Sequence, residues 1–139
     1  MYLNDADEVI QTLIDDLGFW PSWAIPLVEA NGRCVYCDED LLSSRGAYAG
    51  AATDHLFPKS RYPKLEDNRR NWVLSCAACN SIKGSKVYDL EGSSDADQIL
   101  SERRDEYIAI IRADIRDDAA KTFDTWYRLN KIFRWDLTE

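Results

Sequence analysis

The chain has 139 residues, a formal net charge of −8 at pH 7, and a composition that is 45% hydrophobic and 12% aromatic. These values predict one folded domain and exclude a wholly disordered chain, and the negative charge argues against a general nucleic-acid-binding protein. No apolar run is long enough to span a bilayer, and the acidic N-terminus lacks the features of a secretion signal, so we expect a cytoplasmic protein.

The first half of the chain predicts mixed secondary structure. An amphipathic helix is expected over residues 5–17, ended by Gly18. Two prolines then exclude a long helix and leave a short one over 25–30. The stretch AYAGAATDHLF (47–57) predicts a strand, and PKSRYPKLEDNRRN (58–71) predicts a long surface loop.

The second half of the chain predicts mainly helices. A short helix is expected at the second cysteine pair and ends at Gly84, and two longer helices are expected over 96–118 and around 119–135. The tryptophans are assigned to the core and to helix packing, with base stacking considered only for Trp72. The residues assigned in this way are Trp20, Trp23, Trp72, Trp126 and Trp135.

Two Cys-x-x-Cys pairs flank the middle of the chain, Cys34 with Cys37 and Cys76 with Cys79. A two-residue spacer lets both sulfurs of a pair turn toward one ion, and four thiolates complete a tetrahedral zinc site without an open position. The alternatives are two redox pairs or unrelated buried thiols, although redox chemistry needs only one pair. The spacing therefore predicts a structural Zn2+ site.

The interval between the pairs contains polar residues suited to phosphate chemistry. Asp54 and Asn80 offer the hard oxygen ligands that Mg2+ prefers. His55 is the only histidine of the chain and is the type of residue that deprotonates a water beside such an ion. Lys83 follows Asn80 by one helical turn and is predicted to meet a phosphate. Each residue alone has an ordinary structural explanation, so the prediction depends on their combination.

These motifs resemble the HNH endonucleases, whose ββα-metal module is often stapled by two Cys-x-x-Cys pairs. The resemblance covers residues 33–86 and rests on CVYC, TDHLFPKS, Asn71 and CAACNSIKG in the family's order. It implies an α+β fold, mostly helical overall, in which a small zinc-stapled core is flanked by helices. A single domain would then contain an N-terminal helical segment (1–32), the module (33–86) and a C-terminal helical extension (87–139).

The resemblance also implies roles for individual residues. His55 matches the general base, and Asp54 and Asn80 match the ligands of one catalytic ion, Mg2+ or Mn2+. Asn71 matches the central asparagine, which holds the loop between strand and helix through backbone hydrogen bonds. The four cysteines match the zinc ligands. The implied reaction is hydrolysis of a DNA phosphodiester that leaves 5′-phosphate and 3′-hydroxyl ends.

Positive charge is concentrated in the same interval. Residues 54–86 hold seven Lys or Arg against three Asp or Glu, which gives a local charge of +4. Arg61, Arg69 and Arg70 are candidates for DNA phosphate contacts, which position a duplex without selecting a sequence. The acidic flanking helices suggest a protein partner or a homodimer interface. The alternatives to a nuclease are a non-cleaving zinc module that binds nucleic acid or protein, and a purely structural zinc domain.

Overall fold

The computed structural model describes residues 5–134, apart from the side chains of residues 122 and 123. The fold is α+β, as predicted, with helices around one two-stranded antiparallel sheet. The elements are α1 (Ala6–Leu17), α2 (Pro21–Glu29), α3 (Arg45–Gly50), β1 (Ala52–His55), β2 (Trp72–Ser75), α4 (Ala77–Lys83), α5 (Ala96–Glu102) and α6 (Arg104–Phe133). None of the described helices is long and apolar enough to cross a membrane.

Helix α2 differs from the short helix expected over 25–30. It begins at Pro21, a favourable first position, and contains Pro26 in its interior. Pro26 has no N–H to donate to the carbonyl of Ser22, and that carbonyl instead accepts a hydrogen bond from Thr53 Oγ1 at 2.6 Å. The predicted start of this helix at residue 25 is therefore wrong, and the helical bond that Pro26 cannot make is replaced by one that ties α2 to β1.

The strand expected over 47–57 is wrong in its first half. Ser44 caps α3 through its side chain, and the Ala- and Gly-containing sequence that follows lacks the β-branched residues that favour a strand. β1 begins only at Ala52 and pairs with β2 in a register that places His55 opposite Trp72. The loop between the strands is not irregular throughout, because it contains two 3-10 helices, Pro63–Leu65 and Arg69–Asn71.

The C-terminal helices divide at a different place from the one predicted. α5 ends one residue before Arg103, and α6 then runs for 30 residues through the boundary expected between 118 and 119. No glycine or proline interrupts 104–133, so nothing in that sequence ends the helix. The buried face of α6 includes Tyr107, Ile111 and Ile115, and it packs into one core cluster with the sheet and α4.

The tryptophans occupy more varied positions than predicted. Trp72 is 8% exposed and Trp23 packs against the core from a half-buried position. Trp20 and Trp126 are 79% and 54% exposed, so their assignment to the core is wrong. Trp126 is exposed because α6 extends past the core that its earlier turns cover. The prediction for Trp135 falls outside the described residues.

Candidate active site

Four cysteine sulfurs lie together beside the sheet, all within 4.8 Å of one another. The Sγ atoms of Cys37 and Cys76 are 3.7 Å apart. This is far longer than a disulfide of about 2.05 Å, but it matches the edge of a tetrahedron with zinc–sulfur bonds of about 2.3 Å, which is about 3.8 Å. The cluster therefore has the composition and spacing to bind one zinc ion.

The two cysteine pairs are positioned by different local structures. The first pair lies in the turn after α2, where Val35 donates its N–H to the carbonyl of Leu74 in β2 at 2.8 Å. The second pair lies at the start of α4, where Cys76 is the N-cap residue and its sulfur accepts the N–H of Cys79 at 3.4 Å. A turn and a helix start are thus both fixed to the end of β2.

The thiols alter one another's ionisation. Hydrogen bonds with Cys76 and Cys79 hold the pKa of Cys34 well below its usual value, and the contact with Cys34 raises the pKa of Cys79. Burial raises the pKa of Cys37 to about 12. A divalent cation bound by all four sulfurs would favour the ionised form of each thiol. This donor set fits Zn2+.

Asp54 lies at the end of β1 and is 8% exposed. Its Oδ2 atom accepts a hydrogen bond from the Tyr36 hydroxyl at 2.5 Å and lies 3.2 Å from Nζ of Lys83. Lys83 is fully buried and also donates to the backbone carbonyl of His55 at 2.9 Å. The prediction that Lys83 meets a phosphate is wrong, because its ammonium is directed into the protein, where it compensates the buried charge of Asp54.

The second carboxylate oxygen of Asp54 is available to a ligand. Oδ1 accepts no hydrogen bond from the described residues, and no buried side-chain polar atom among them lacks a partner, so solvent reaches Oδ1. Asn80 is half-buried on α4, which packs against β1, one turn before Lys83. Its side-chain amide makes no hydrogen bond within the described part of the chain. Carboxylate and amide oxygens, which Asp54 and Asn80 offer, are ligand types that a divalent ion such as Mg2+ prefers.

The tautomer of His55 follows from its hydrogen bond. Nε2 of His55 lies 3.1 Å from the backbone carbonyl oxygen of Glu66. A carbonyl oxygen can only accept, so Nε2 carries a proton, and in the neutral imidazole Nδ1 then keeps a free lone pair. The same carbonyl accepts the indole N–H of Trp72 at 2.7 Å. Trp72 therefore supports the His55 ring through Glu66, and its indole is not exposed for base stacking.

Asn71 is fully buried and holds the loop between the two strands. Its Oδ1 atom accepts the N–H of Phe57 at 2.7 Å, and its Nδ2 atom donates to the carbonyls of Phe57 and Leu65 at 3.0 and 3.2 Å. All three partners are backbone groups. The side chain thereby fixes the loop that carries the Glu66 carbonyl to His55.

The candidate DNA-binding arginines differ in how they are engaged. Arg69 forms an ion pair with Glu29 of α2 at 2.9 Å, and Arg70 donates Nε–H to the carbonyl of Leu100 in α5 at 2.6 Å. Both guanidinium groups connect the loop to neighbouring helices. Arg61 is exposed, and its side chain has no hydrogen-bond or ion-pair partner among the described residues, so it is the freest of the three to meet a phosphate.

Sequence reasoning does not identify Tyr36 or Glu66 as parts of the site. The only sequence signal for Tyr36 is an aromatic hydroxyl inside the first Cys-x-x-Cys spacer, next to a predicted metal ligand. Glu66 acts through its backbone carbonyl, and its side chain is exposed. No pattern of residue types marks a backbone carbonyl as functional, so only the folded geometry reveals it.

Comparison with known proteins places this geometry in a family. Residues 34–86 match the family model described as HNH endonuclease. The Septu protein PtuB of Bacillus thuringiensis is 36% identical over 69 residues, which amount to 45% of this chain and 26% of that protein. This chain therefore spans only about a quarter of that relative. No solved structure matches the chain significantly. The match to the HNH endonuclease model is thus confined to residues 34–86, which are less than half of the chain.

Proposed function

We propose that this protein is a metal-dependent DNA endonuclease in which His55 is the general base and Asp54 and Asn80 hold one divalent ion. The observation that carries the proposal is the hydrogen bond from His55 Nε2 to the carbonyl of Glu66. It leaves Nδ1 as a proton acceptor on the residue that directly follows the nearly buried carboxylate of Asp54. The family assignment of residues 34–86 supports a nuclease of this type.

In this mechanism Nδ1 of His55 removes a proton from a water molecule that attacks the phosphorus in line with the leaving 3′ oxygen. The Nε2–H bond to Glu66 holds the ring in one orientation and stabilises the imidazolium that forms. A divalent ion held by Asp54 and Asn80 would offset the negative charge that develops on the phosphate and the leaving oxygen. The P–O3′ bond breaks, the leaving 3′ oxygen takes a proton from solvent water, and the products carry a 5′-phosphate and a 3′-hydroxyl.

The four-cysteine cluster is proposed to hold a structural zinc ion. Four thiolates fill all positions of a tetrahedral site and leave none for substrate, in contrast to a catalytic zinc site. Its part in the reaction is therefore indirect. By fixing the turn of the first pair and the start of α4, it would hold Tyr36 and Asn80 close to the end of β1.

The three segments 1–32, 33–86 and 87–139 are proposed to act as one domain. Side chains of α6 bind backbone carbonyls of the central module. Arg112 donates Nε–H to the carbonyl of Val35 at 2.6 Å, and Arg104 donates to the carbonyls of Arg70 and Trp72 at 2.7 and 3.1 Å. These bonds and the shared core support the proposal that α6 is part of the nuclease scaffold.

DNA is the proposed substrate, and Arg61 is the proposed phosphate contact. Lys64 lies on the same loop, is exposed and forms no ion pair among the described residues. Non-specific affinity for DNA comes from contacts between cations and phosphates. We therefore expect this affinity to be weak in a protein of net charge −8 that offers two such cations. For the same reason, we expect a protein partner or a second copy that adds DNA contacts to increase the cleavage that the protein performs alone, and we expect this activity in the cytoplasm.

Nicking of supercoiled plasmid tests the assignment of the base. With zinc-loaded protein and Mg2+ or Mn2+, His55→Ala should lower the rate by about 10²–10⁴-fold, the usual contribution of general-base catalysis. Glu66→Ala is the matched control, because it removes an exposed side chain and leaves the carbonyl that binds His55. Cutting by His55→Ala at the wild-type rate would refute the role of His55.

The second candidate is a module that binds nucleic acid or protein without cutting. The ion pair between Lys83 and Asp54 favours it, because an internal ammonium already compensates the carboxylate that would bind the divalent ion. A wild-type protein that binds DNA but does not cut it at any Mg2+ or Mn2+ concentration, with or without a DNA-binding partner, would support this function.

A further inference from the structure

The Asp54 carboxylate is held from two sides at a single oxygen. Tyr36 approaches Oδ2 from the turn of the first cysteine pair, and Lys83 approaches the same atom from α4. Oδ1 has no donor among the described residues. The two oxygens are thus chemically distinct, one bound inside the protein and the other presented to solvent.

Lys83 alone would not keep the two oxygens distinct. An ammonium is a compact cation with several donors, and it attracts both oxygens of a carboxylate. Its position is fixed, because it is fully buried and its other bond goes to the carbonyl of His55. A carboxylate that is free to turn could share both oxygens with this fixed ammonium. The directional bond from the Tyr36 hydroxyl opposes that rotation.

We propose that Tyr36 is a positioning residue for the divalent ion, because its hydroxyl holds Asp54 Oδ2 against Lys83 and leaves Oδ1 directed to the ion. This inference rests on the proposed function and adds a residue to it that does not touch substrate. Hydrogen-bond partners of metal-binding carboxylates commonly change metal affinity by about 10–100-fold when they are removed. Tyr36 therefore sets how much divalent ion the site needs, and the chemistry itself remains with His55.

Mn2+ binding to the zinc-loaded protein without DNA tests the inference directly. Tyr36→Phe removes one oxygen and keeps the buried ring. We expect it to bind Mn2+ roughly tenfold or more weakly in an electron paramagnetic resonance titration. Tyr88→Phe is the matched control, because it removes a hydroxyl that binds another carboxylate, Asp114 Oδ2, at 2.6 Å. The control should bind Mn2+ like the wild type, and both variants should keep their zinc.

Plasmid nicking gives a second measurement. If Tyr36 had a purely structural role, its replacement would not change the Mg2+ dependence of cutting in this way. In Tyr36→Phe the Mg2+ concentration for half-maximal cutting should rise by a similar factor, while the rate at saturating Mg2+ should return close to that of the wild type. Unchanged Mn2+ affinity in Tyr36→Phe would overturn the inference, and so would a lowered rate that saturating Mg2+ does not restore.

Asp54→Asn separates this inference from the proposed function. If the wild type binds Mn2+ and Asp54→Asn does not, the ion site stands, and the result with Tyr36→Phe decides the positioning role alone. If Asp54→Asn binds Mn2+ as the wild type does, the ion lies elsewhere, and both the proposed ligand set and the positioning role are wrong.

Discussion

Replacing Asn71 by alanine should unfold a large fraction of the molecules under conditions where the wild type is folded. The side chain is fully buried and satisfies three backbone groups, the N–H and carbonyl of Phe57 and the carbonyl of Leu65. Alanine leaves the N–H and the carbonyl of Phe57 without a partner and leaves the Leu65 carbonyl with only the Asn68 N–H, at 3.1 Å. Because these groups lie in the loop that carries the Glu66 carbonyl, the variant also tests how the loop supports His55.

The expected loss follows from the cost of unpaired buried groups. Each costs about 1–3 kcal/mol, and a water that enters the space left by the amide would recover part of the total. We therefore expect Asn71→Ala to lower the free energy of unfolding by about 3–5 kcal/mol, which is a large share of the roughly 5–15 kcal/mol of a typical domain.

Urea unfolding at a fixed excess of zinc measures this loss. Asn68→Ala is the matched control in the same loop, because its side chain accepts a single hydrogen bond, from the N–H of Arg70 at 3.0 Å. It should cost about 1 kcal/mol or less. Hydrogen exchange of the Phe57 amide should also accelerate in Asn71→Ala. A loss no larger than that of the control would refute the reasoning.

Two further predictions concern the thiols and the buried phenols. Purified protein should contain one zinc ion per chain, which acid should release as the thiolates protonate. Cys76→Ser should lose both zinc and fold because it removes a zinc ligand, although serine can still cap α4. A folded, zinc-free wild type would contradict this. Burial raises the pKa of Tyr88 and of Tyr107, so only the unfolded chain loses these protons just above about pH 10. The urea midpoint should therefore fall as the pH rises past about 10, and less steeply in Tyr88→Phe than in the wild type.

The parts of the fold that follow from local chemistry could be predicted from the sequence. The spacing of the cysteine pairs is sufficient to predict that four sulfurs meet. The boundaries of α1 follow from its cap and from Gly18, which adopts a left-handed conformation with φ of 69°. In each case a few neighbouring residues determine the outcome, so no knowledge of tertiary packing is needed.

The errors arise where a distant partner decides the outcome. The sequence predicts Lys83 as a phosphate ligand because lysine is usually exposed. The burial of Lys83 becomes favourable only because Asp54, on another element, lies beside it. Pro26 reads as a helix breaker, yet Thr53 supplies the bond that the Ser22 carbonyl would otherwise lack. Sequence shows which groups need partners, whereas the tertiary fold decides which groups supply them.

The four-cysteine cluster and the proposed catalytic site are therefore not separable parts of this fold. Cys76 begins the helix that carries Asn80 and Lys83, and Tyr36 lies between the two cysteines of the other pair. Loss of the zinc ion would release Tyr36 and Lys83, the two residues that hold Asp54 Oδ2. It would also free Asn80, the proposed second ligand of the divalent ion. We expect zinc removal to abolish Mn2+ binding. A zinc-free protein that retains full Mn2+ affinity would show that Asp54 is positioned by the sheet alone.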